Sequence, residues 1–217
     1  MPRRSIALVT AAAHRHLGRD PVMRQLIRRH GPCGLECRRW SPYEALTRAI
    51  AHQQLNGRAA QTILTRFVAL FGNGRFPTPA DVLATHPRRL RSAGFSRAKV
   101  RAIKDIARHA LAGTVPTRRA AARLDDEAII ERLLPIRGVG RWTVEMLLIF
   151  TLGRLDVLPV DDFGVREGYR RAYGKRARPT PKALRELGER WMPYRSAAAW
   201  YLWRAASEAP PAREKRG

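Results

Sequence analysis

Two carboxylates stand side by side at Asp161 and Asp162, in the run Leu158-Pro159-Val160-Asp161-Asp162-Phe163-Gly164-Val165. Aspartate in such a place has two uses. At the N-cap or in the first turn of a helix expected from about 162, it accepts orphan backbone N–H groups and meets the positive end of the helix dipole. Aimed at a reacting centre, it stabilises positive charge as that charge develops. About twenty residues upstream lies Leu133-Leu134-Pro135-Ile136-Arg137-Gly138-Val139-Gly140-Arg141-Trp142-Thr143. Pro135 stops an apolar helix expected over 126–133, and a second apolar helix, Val144 to Phe150, follows Gly140. Gly138-Val139-Gly140 permits a tight turn at positive φ, lets the backbone come close to another chain, and plants Val139 between the two helices as a packing anchor. Such a turn presents N–H groups beside a helix N-terminus, which is a seat for phosphate. Arg137 and Arg141 flank it.

The rest of the chain points to the same kind of partner. Its 217 residues carry 42 Lys and Arg against 18 Asp and Glu, a net charge of +24. That excess is far beyond what solubility needs and implies a polyanion, with nucleic acid first. A membrane surface fits less well, because the basic residues are spread over many segments rather than gathered on one amphipathic helix. No apolar run approaches the ~18 residues that would span a bilayer, and the N-terminus lacks a sustained apolar stretch and a cleavage site, so a cytoplasmic, nucleoid-associated protein is expected. Cys33 and Cys37, in HGPCGLEC, cannot complete a four-thiolate zinc or iron–sulfur site, and His30 would bring the possible zinc ligands to three. They read as two reduced thiols, and no cofactor is expected.

The elements that must position these residues are helical. Asp20-Pro21 opens a segment closed by Gly31, with an N-cap, a proline at the first helical position and a terminal glycine. Ser41-Pro42-Tyr43-Glu44 reads as a capping box before a helix through about Gln54. Asn56 can cap the next, Thr78-Pro79-Ala80-Asp81 starts another, and Ser96 begins a longer one ending at Gly113. Further helices are predicted at about 125–133, 141–152, 162–173, 181–191 and 194–207. No stretch alternates with period two for long enough to make a strand. The predicted class is therefore all-α, two helical lobes around a DNA-binding cleft within one unit of 217 residues. The lobes are expected at about 41–115 and 124–207, joined by a linker at 113–123. N-terminal helices within 5–31 are expected to pack on the second lobe, and 209–217 to form a disordered tail.

Four segments taken in order carry a resemblance: IAHQQLNGRAA at 50–60, IRGVGRWTVEMLLIF at 136–150, DVLPVDDFGVREG at 156–168 and RWMPYRSAAAWYLWRAA at 190–206. With the helices between them, they cover about Pro42 to Ala206. The sequence resembles the helix-hairpin-helix (HhH-GPD) DNA glycosylase superfamily, and within it the 3-methyladenine DNA glycosylase II, or alkylbase, branch. Larger bacterial members carry an extra N-terminal α/β domain, for which the residues before Ser41 leave no room, so a compact form is expected.

The resemblance implies a base-excision enzyme that acts as a monomer on double-stranded DNA containing damaged bases. It would flip an alkylated base such as 3-methyladenine or 7-methylguanine, hydrolyse its N-glycosidic bond and leave an abasic site. It assigns Asp162 as the catalytic carboxylate, although branches with a VD-T-H pattern align their aspartate equally well with Asp161. Trp142 stands where lyase-competent branches carry a lysine, and an indole cannot form a Schiff base. The pocket for the flipped base is expected from Trp142, Phe163 and Trp203, with Trp200 in the core. Arg137, Gly138, Val139, Gly140 and Arg141 would grip the DNA backbone. Gln53 and Gln54 fall where a side chain fills the gap left in the duplex. In this superfamily, turn carbonyls matching Leu134, Ile136 and Val139 can hold a monovalent cation. A non-catalytic helix-hairpin-helix protein that binds or senses damaged DNA would explain the charge and the hairpin, but not the carboxylate pair.

Overall fold

A computed structural model describes residues 11–55, 57–72 and 74–208, and among these the only regular secondary structure is helical. Asn56, expected to cap a helix, and the expected tail at 209–217 lie outside the described residues, as do residues 1–10. No helix among the described residues is long and apolar enough to cross a membrane. The chain divides into two compact units, one made of residues up to Glu36 together with those from Arg154 on, the other of Cys37–Gly153. The expected division fell at 113–123, which would have placed the hairpin with Asp162. Instead the hairpin belongs with the helices that precede it, because its apolar residues bury against them: a Cβ on Gly138 would sit 3.0 Å from Ala102 Cβ and 3.4 Å from Ile50 Cδ1.

In the Cys37–Gly153 unit, helices run over Pro42–His52, Gly57–Ala69, Pro79–Ala84, Pro87–Ser92, Arg97–Leu111, Arg118–Ala121, Asp126–Leu133 and Arg141–Leu147. Local chemistry explains most of their starts. Thr78 and Asp81 form a complete capping box, and Ser96 accepts the Lys99 N–H. Ser41 makes only half of the predicted box: its hydroxyl accepts the Glu44 N–H, while the Glu44 carboxylate turns away to pair with Arg48 at 2.8 Å. The predicted linker contains the short Arg118–Ala121 helix, capped by Thr117, and Arg118 donates to the carbonyls of Arg38 and Trp40. The last helix does not stop at Leu147 but loosens into a π-helical turn over Leu148–Leu152. Its widened backbone offers the Phe150 carbonyl to the Arg38 N–H and the Thr151 carbonyl to the Cys37 thiol. The irregular segment from Cys37 to Arg38 is thereby tied to the end of the hairpin's second helix.

In the other unit, residues 11–17 are helical, followed by Pro21–His30, Phe163–Ala172, Pro181–Gly188 with a 3-10 turn to Trp191, and Arg195–Ser207. Its core gathers Leu17, Met23, Leu26, Val165, Tyr169, Leu184, Trp191, Tyr201 and Leu202, so the N-terminal helices pack on the segment from 158 to 205. Asp20 ties the pieces together. One carboxylate oxygen caps the Pro21–His30 helix through the N–H groups of Val22 and Met23; the other accepts the Tyr173 hydroxyl at 2.6 Å and the Trp191 indole N–H at 3.3 Å. Burial pushes the Asp20 carboxyl upward, but these four donors outweigh it and hold the group below its usual range. A depressed carboxylate pKa contributes stability that is fully present above the unfolded value and is lost as pH falls through the folded one. Asp20→Ala is expected to cost about 2–4 kcal/mol at neutral pH, from a lost cap and two part-buried donors left without this acceptor. Urea denaturation at pH 7 measures this, and the difference from wild type should shrink as the pH is lowered.

Candidate functional site

Asp162 is the N-cap of the Phe163–Ala172 helix, with extended backbone at φ −68° and ψ 124°. Its Oδ1 accepts the Val165 N–H and the Trp203 indole N–H, both at 2.8 Å. Capping and the use suggested by the resemblance therefore fall on the same residue. Trp203 comes from the Arg195–Ser207 helix, and the contact works because Gly164 leaves room: a Cβ there would lie 2.8 Å from Trp203 Cδ1 and 3.1 Å from Asp162 Oδ1. Gly168 does the same one turn on, where Leu202 backbone packs directly against it. Asp161 is exposed and makes no hydrogen bond or ion pair among the described residues. Phe163, expected as a pocket wall, is 66% exposed, and the Arg178 guanidinium lies 4.4 Å over its ring. Trp200 is half-buried, with its indole against Gly34.

The hairpin has the expected geometry. Gly138 takes φ +78°, Val139 and Ile136 are buried, and Gly140 is the N-cap of Arg141–Leu147, with no side-chain cap bond of its own. An oxygen-rich anion suits such an end. Of the turn carbonyls, Ile136 accepts the Val139 N–H at 3.0 Å. The flanking arginines differ. Arg137 is exposed, and its backbone N–H is taken by the Asp105 carboxylate at 2.8 Å. Arg141 makes a two-point pair with Glu127, at 2.8 and 2.6 Å, and lies 3.4 Å from Glu145. To reach a phosphate, Arg141 must leave this pair, so its side chain is a weaker grip than its position in the sequence suggests.

The two glutamines part company as well. Gln53 turns inward, its Nε2 donating to the Gly138 carbonyl at 3.0 Å and lying 3.4 Å from Thr143 Oγ1. Gln54 is exposed and sits at φ +56°, in the left-handed region that non-glycine residues avoid. Leu55 beside it is 40% exposed. Nearby, Trp142 is half-buried and lines a hollow of about 350 Å³ with Trp40, Met146, Phe150, Arg48 and His52. Its walls are largely aromatic and apolar, with a few polar groups at the edge, which is the make-up of a small-molecule pocket. The Arg48 guanidinium covers Trp40 at 4.5 Å and Phe76 at 4.9 Å. Burial, then the Arg48 and Lys99 charges, lower the His52 pKa, so its imidazole is neutral at pH 7.

Trp40 and Arg48 were missed from sequence, and the place of His52 in this hollow was not foreseen. The only hint was aromatic character next to arginines in Arg38-Arg39-Trp40. Asp162, Phe163 and Trp203 lie in one unit; Trp142, Gln53, Gln54 and the hairpin lie in the other.

Comparison with known proteins decides the family. The model of the HhH-GPD superfamily base excision DNA repair protein matches residues 47–194. The chain belongs to the HhH-GPD superfamily. DNA-3-methyladenine glycosylase 1 of Schizosaccharomyces pombe is 45% identical over 178 residues, 81% of this chain and 78% of its own length. The alkylbase DNA glycosidase-like protein mag2 of the same yeast is 36% identical over 194 residues, 88% of this chain and 91% of its own. Among solved structures, the Schizosaccharomyces pombe 3-methyladenine DNA glycosylase Mag1 in complex with abasic DNA superposes with a TM-score of 0.85 and 42% identity, over 91% of this chain and 98% of that one. The HhH-GPD match takes in the Gln53–Gln54 turn, the hairpin and Asp162, and ends at Tyr194, before Trp203.

Proposed function

We propose that this HhH-GPD protein is a monofunctional DNA glycosylase of base excision repair, hydrolysing the N-glycosidic bond of 3-methyladenine and 7-methylguanine in double-stranded DNA. Relatives named DNA-3-methyladenine glycosylase support the substrate, and the complex of Mag1 with abasic DNA supports the partner. The observation that carries the chemistry is the fixed carboxylate: Asp162 held by a helix N–H and an indole N–H on one oxygen. As the glycosidic bond stretches, positive charge builds on the sugar, and a preorganised carboxylate stabilises it or orients the attacking water. An alkylated purine already bears positive charge and leaves without a general acid, so one carboxylate suffices. Trp203 is a positioning residue for Asp162 as well as a surface for the flipped nucleotide. Phe163 completes that surface once the Arg178 guanidinium moves off its ring.

The hairpin, from Arg137 to Arg141, grips the backbone chiefly through the N–H groups of Gly138, Gly140 and Arg141, and Gln54 fills the gap in the duplex. The hollow beside Trp142 receives the extruded base, which gains from a π face when it is cationic. The protein acts as a monomer. Incubated with methylated DNA, it is expected to release free 3-methyladenine and 7-methylguanine and leave abasic sites that hot alkali, not the protein, cleaves. Borohydride should trap no covalent adduct, since Trp142 offers no amine. Tight binding without release of any base would sink this reading.

A further inference from the structure

The turn after the Pro42–His52 helix is held by contacts that base release as described above does not use. A helix C-terminus leaves carbonyls without intrahelical donors. Here the Lys99 ammonium, from the Arg97–Leu111 helix, donates to the carbonyls of Ala51 and Gln53, 2.8 Å from each. A cation is the group that the negative end of a helix favours. Gln53 is then fixed at three points: its N–H closes a helical bond to Ala49, its carbonyl accepts from Lys99, and its side chain donates to the Gly138 carbonyl of the hairpin. The next residue, Gln54, is the one non-glycine residue with positive φ among those described. A strained conformation persists only where its surroundings over-determine it, and these contacts do so.

We infer that Lys99 and Gln53 are positioning residues for base extrusion. Together they lock Gln54 in its left-handed conformation and fix its register against the hairpin, so that the gap-filling side chain meets the duplex where the phosphate seat has placed it. This rests on the reading of Gln54 as the gap-filling residue. Lys99 could instead be a phosphate ligand, but two of its three N–H donors are spent on carbonyls. Its loss should therefore slow extrusion more than it weakens affinity. A side chain that fills a gap helps only when it is already aligned as the base leaves, and a relaxed turn would point it elsewhere.

The test uses an oligonucleotide whose single guanine is methylated at N7, paired with a full complement or with one carrying an abasic analogue opposite the lesion. The second duplex has no orphaned base to satisfy. Single-turnover release is measured at saturating protein for the full chain and for Gln54→Ala, Lys99→Met, Lys99→Arg and Gln53→Leu, with circular dichroism confirming the fold. On the full duplex, Gln54→Ala and Lys99→Met are each expected to slow release about tenfold, and on the abasic-opposed duplex less than about threefold. Lys99→Arg, which keeps a cation able to reach both carbonyls, should recover most of the loss. Gln53→Leu, which cuts the hairpin tie and leaves Lys99 in place, should show the same dependence on substrate and stands in if Lys99→Met does not fold. Equal slowing on both duplexes, or none on either, in Lys99→Met and Gln53→Leu would overturn the inference. Undiminished duplex release by Gln54→Ala would overturn the gap-filling reading beneath it, and no release by the unmodified chain would overturn the proposed function itself.

Discussion

Asp162→Asn is expected to slow base release by about a thousandfold while leaving DNA affinity equal or higher, the size of effect seen when a preorganised charge-stabilising group is removed. The substitution is chosen because asparagine keeps the size of the aspartate and its acceptor oxygen. Its amide oxygen can still accept the Val165 N–H as an N-cap and the Trp203 indole N–H, as Asp162 Oδ1 does now. Only the negative charge is removed. In a chain of net charge +24, losing one anion near bound DNA cannot weaken the electrostatic attraction. The measurement is therefore a comparison of single-turnover release with equilibrium binding. A fall in both, with a lowered unfolding midpoint, would mean that Asp162 is a cap and nothing more. Asp161→Asn is the companion variant: Asp161 is exposed and makes no hydrogen bond or ion pair among the described residues, so release should stay close to wild type. The opposite pattern, with Asp161→Asn inactive and Asp162→Asn active, would move the catalytic assignment by one residue.

Helix starts were legible in the sequence because they are decided locally. Asp20-Pro21, Thr78 with Asp81, and Ser96 cap the helices that follow them through hydrogen bonds spanning two or three residues. The hairpin was legible for a similar reason, since Gly138 needs its positive φ wherever the turn is packed. What could not be read depends on partners far along the chain. The Glu127–Arg141 pair spans fourteen residues and a turn, so counting arginines made Arg141 look available to DNA. Asp105 takes the Arg137 N–H from thirty-two residues away, Lys99 reaches Gln53 from forty-six, and Trp203 reaches Asp162 from forty-one. Trp203 was expected as a pocket wall through resemblance alone, and its indole N–H on the Asp162 carboxylate was not expected. The boundary between the units was misplaced because 113–123 looks like a linker by composition, while apolar burial of Ile129, Leu133, Ile136 and Val139 joins the hairpin to the helices upstream.

The second large effect is expected at Gly168, where two local preferences oppose each other. In the middle of the Phe163–Ala172 helix, alanine is favoured over glycine by about 1 kcal/mol on propensity alone. Sterics run the other way and win. A Cβ at Gly168 would stand 1.9 Å from the Leu202 carbonyl oxygen and 2.5 Å from its carbon, and these are backbone atoms of the Arg195–Ser207 helix that no rotamer change can move aside. Gly168→Ala must push the two helices apart and is expected to cost about 3 kcal/mol or more. The same helices carry Asp162 and Trp203, so spreading them also stretches the 2.8 Å bond that orients the carboxylate. Stability and the rate of release per folded molecule should therefore fall together, measured by urea denaturation and by single-turnover release at low temperature, where the variant remains folded. Gly188→Ala supplies the contrast. Its Cβ would meet Leu158 Cδ2 at 2.3 Å, the end of a flexible side chain that can turn away, and the expected loss is about 1 kcal/mol with release unchanged. Wild-type stability in Gly168→Ala would mean that the helices do not cross as closely as this and that Trp203 orients Asp162 by some looser contact.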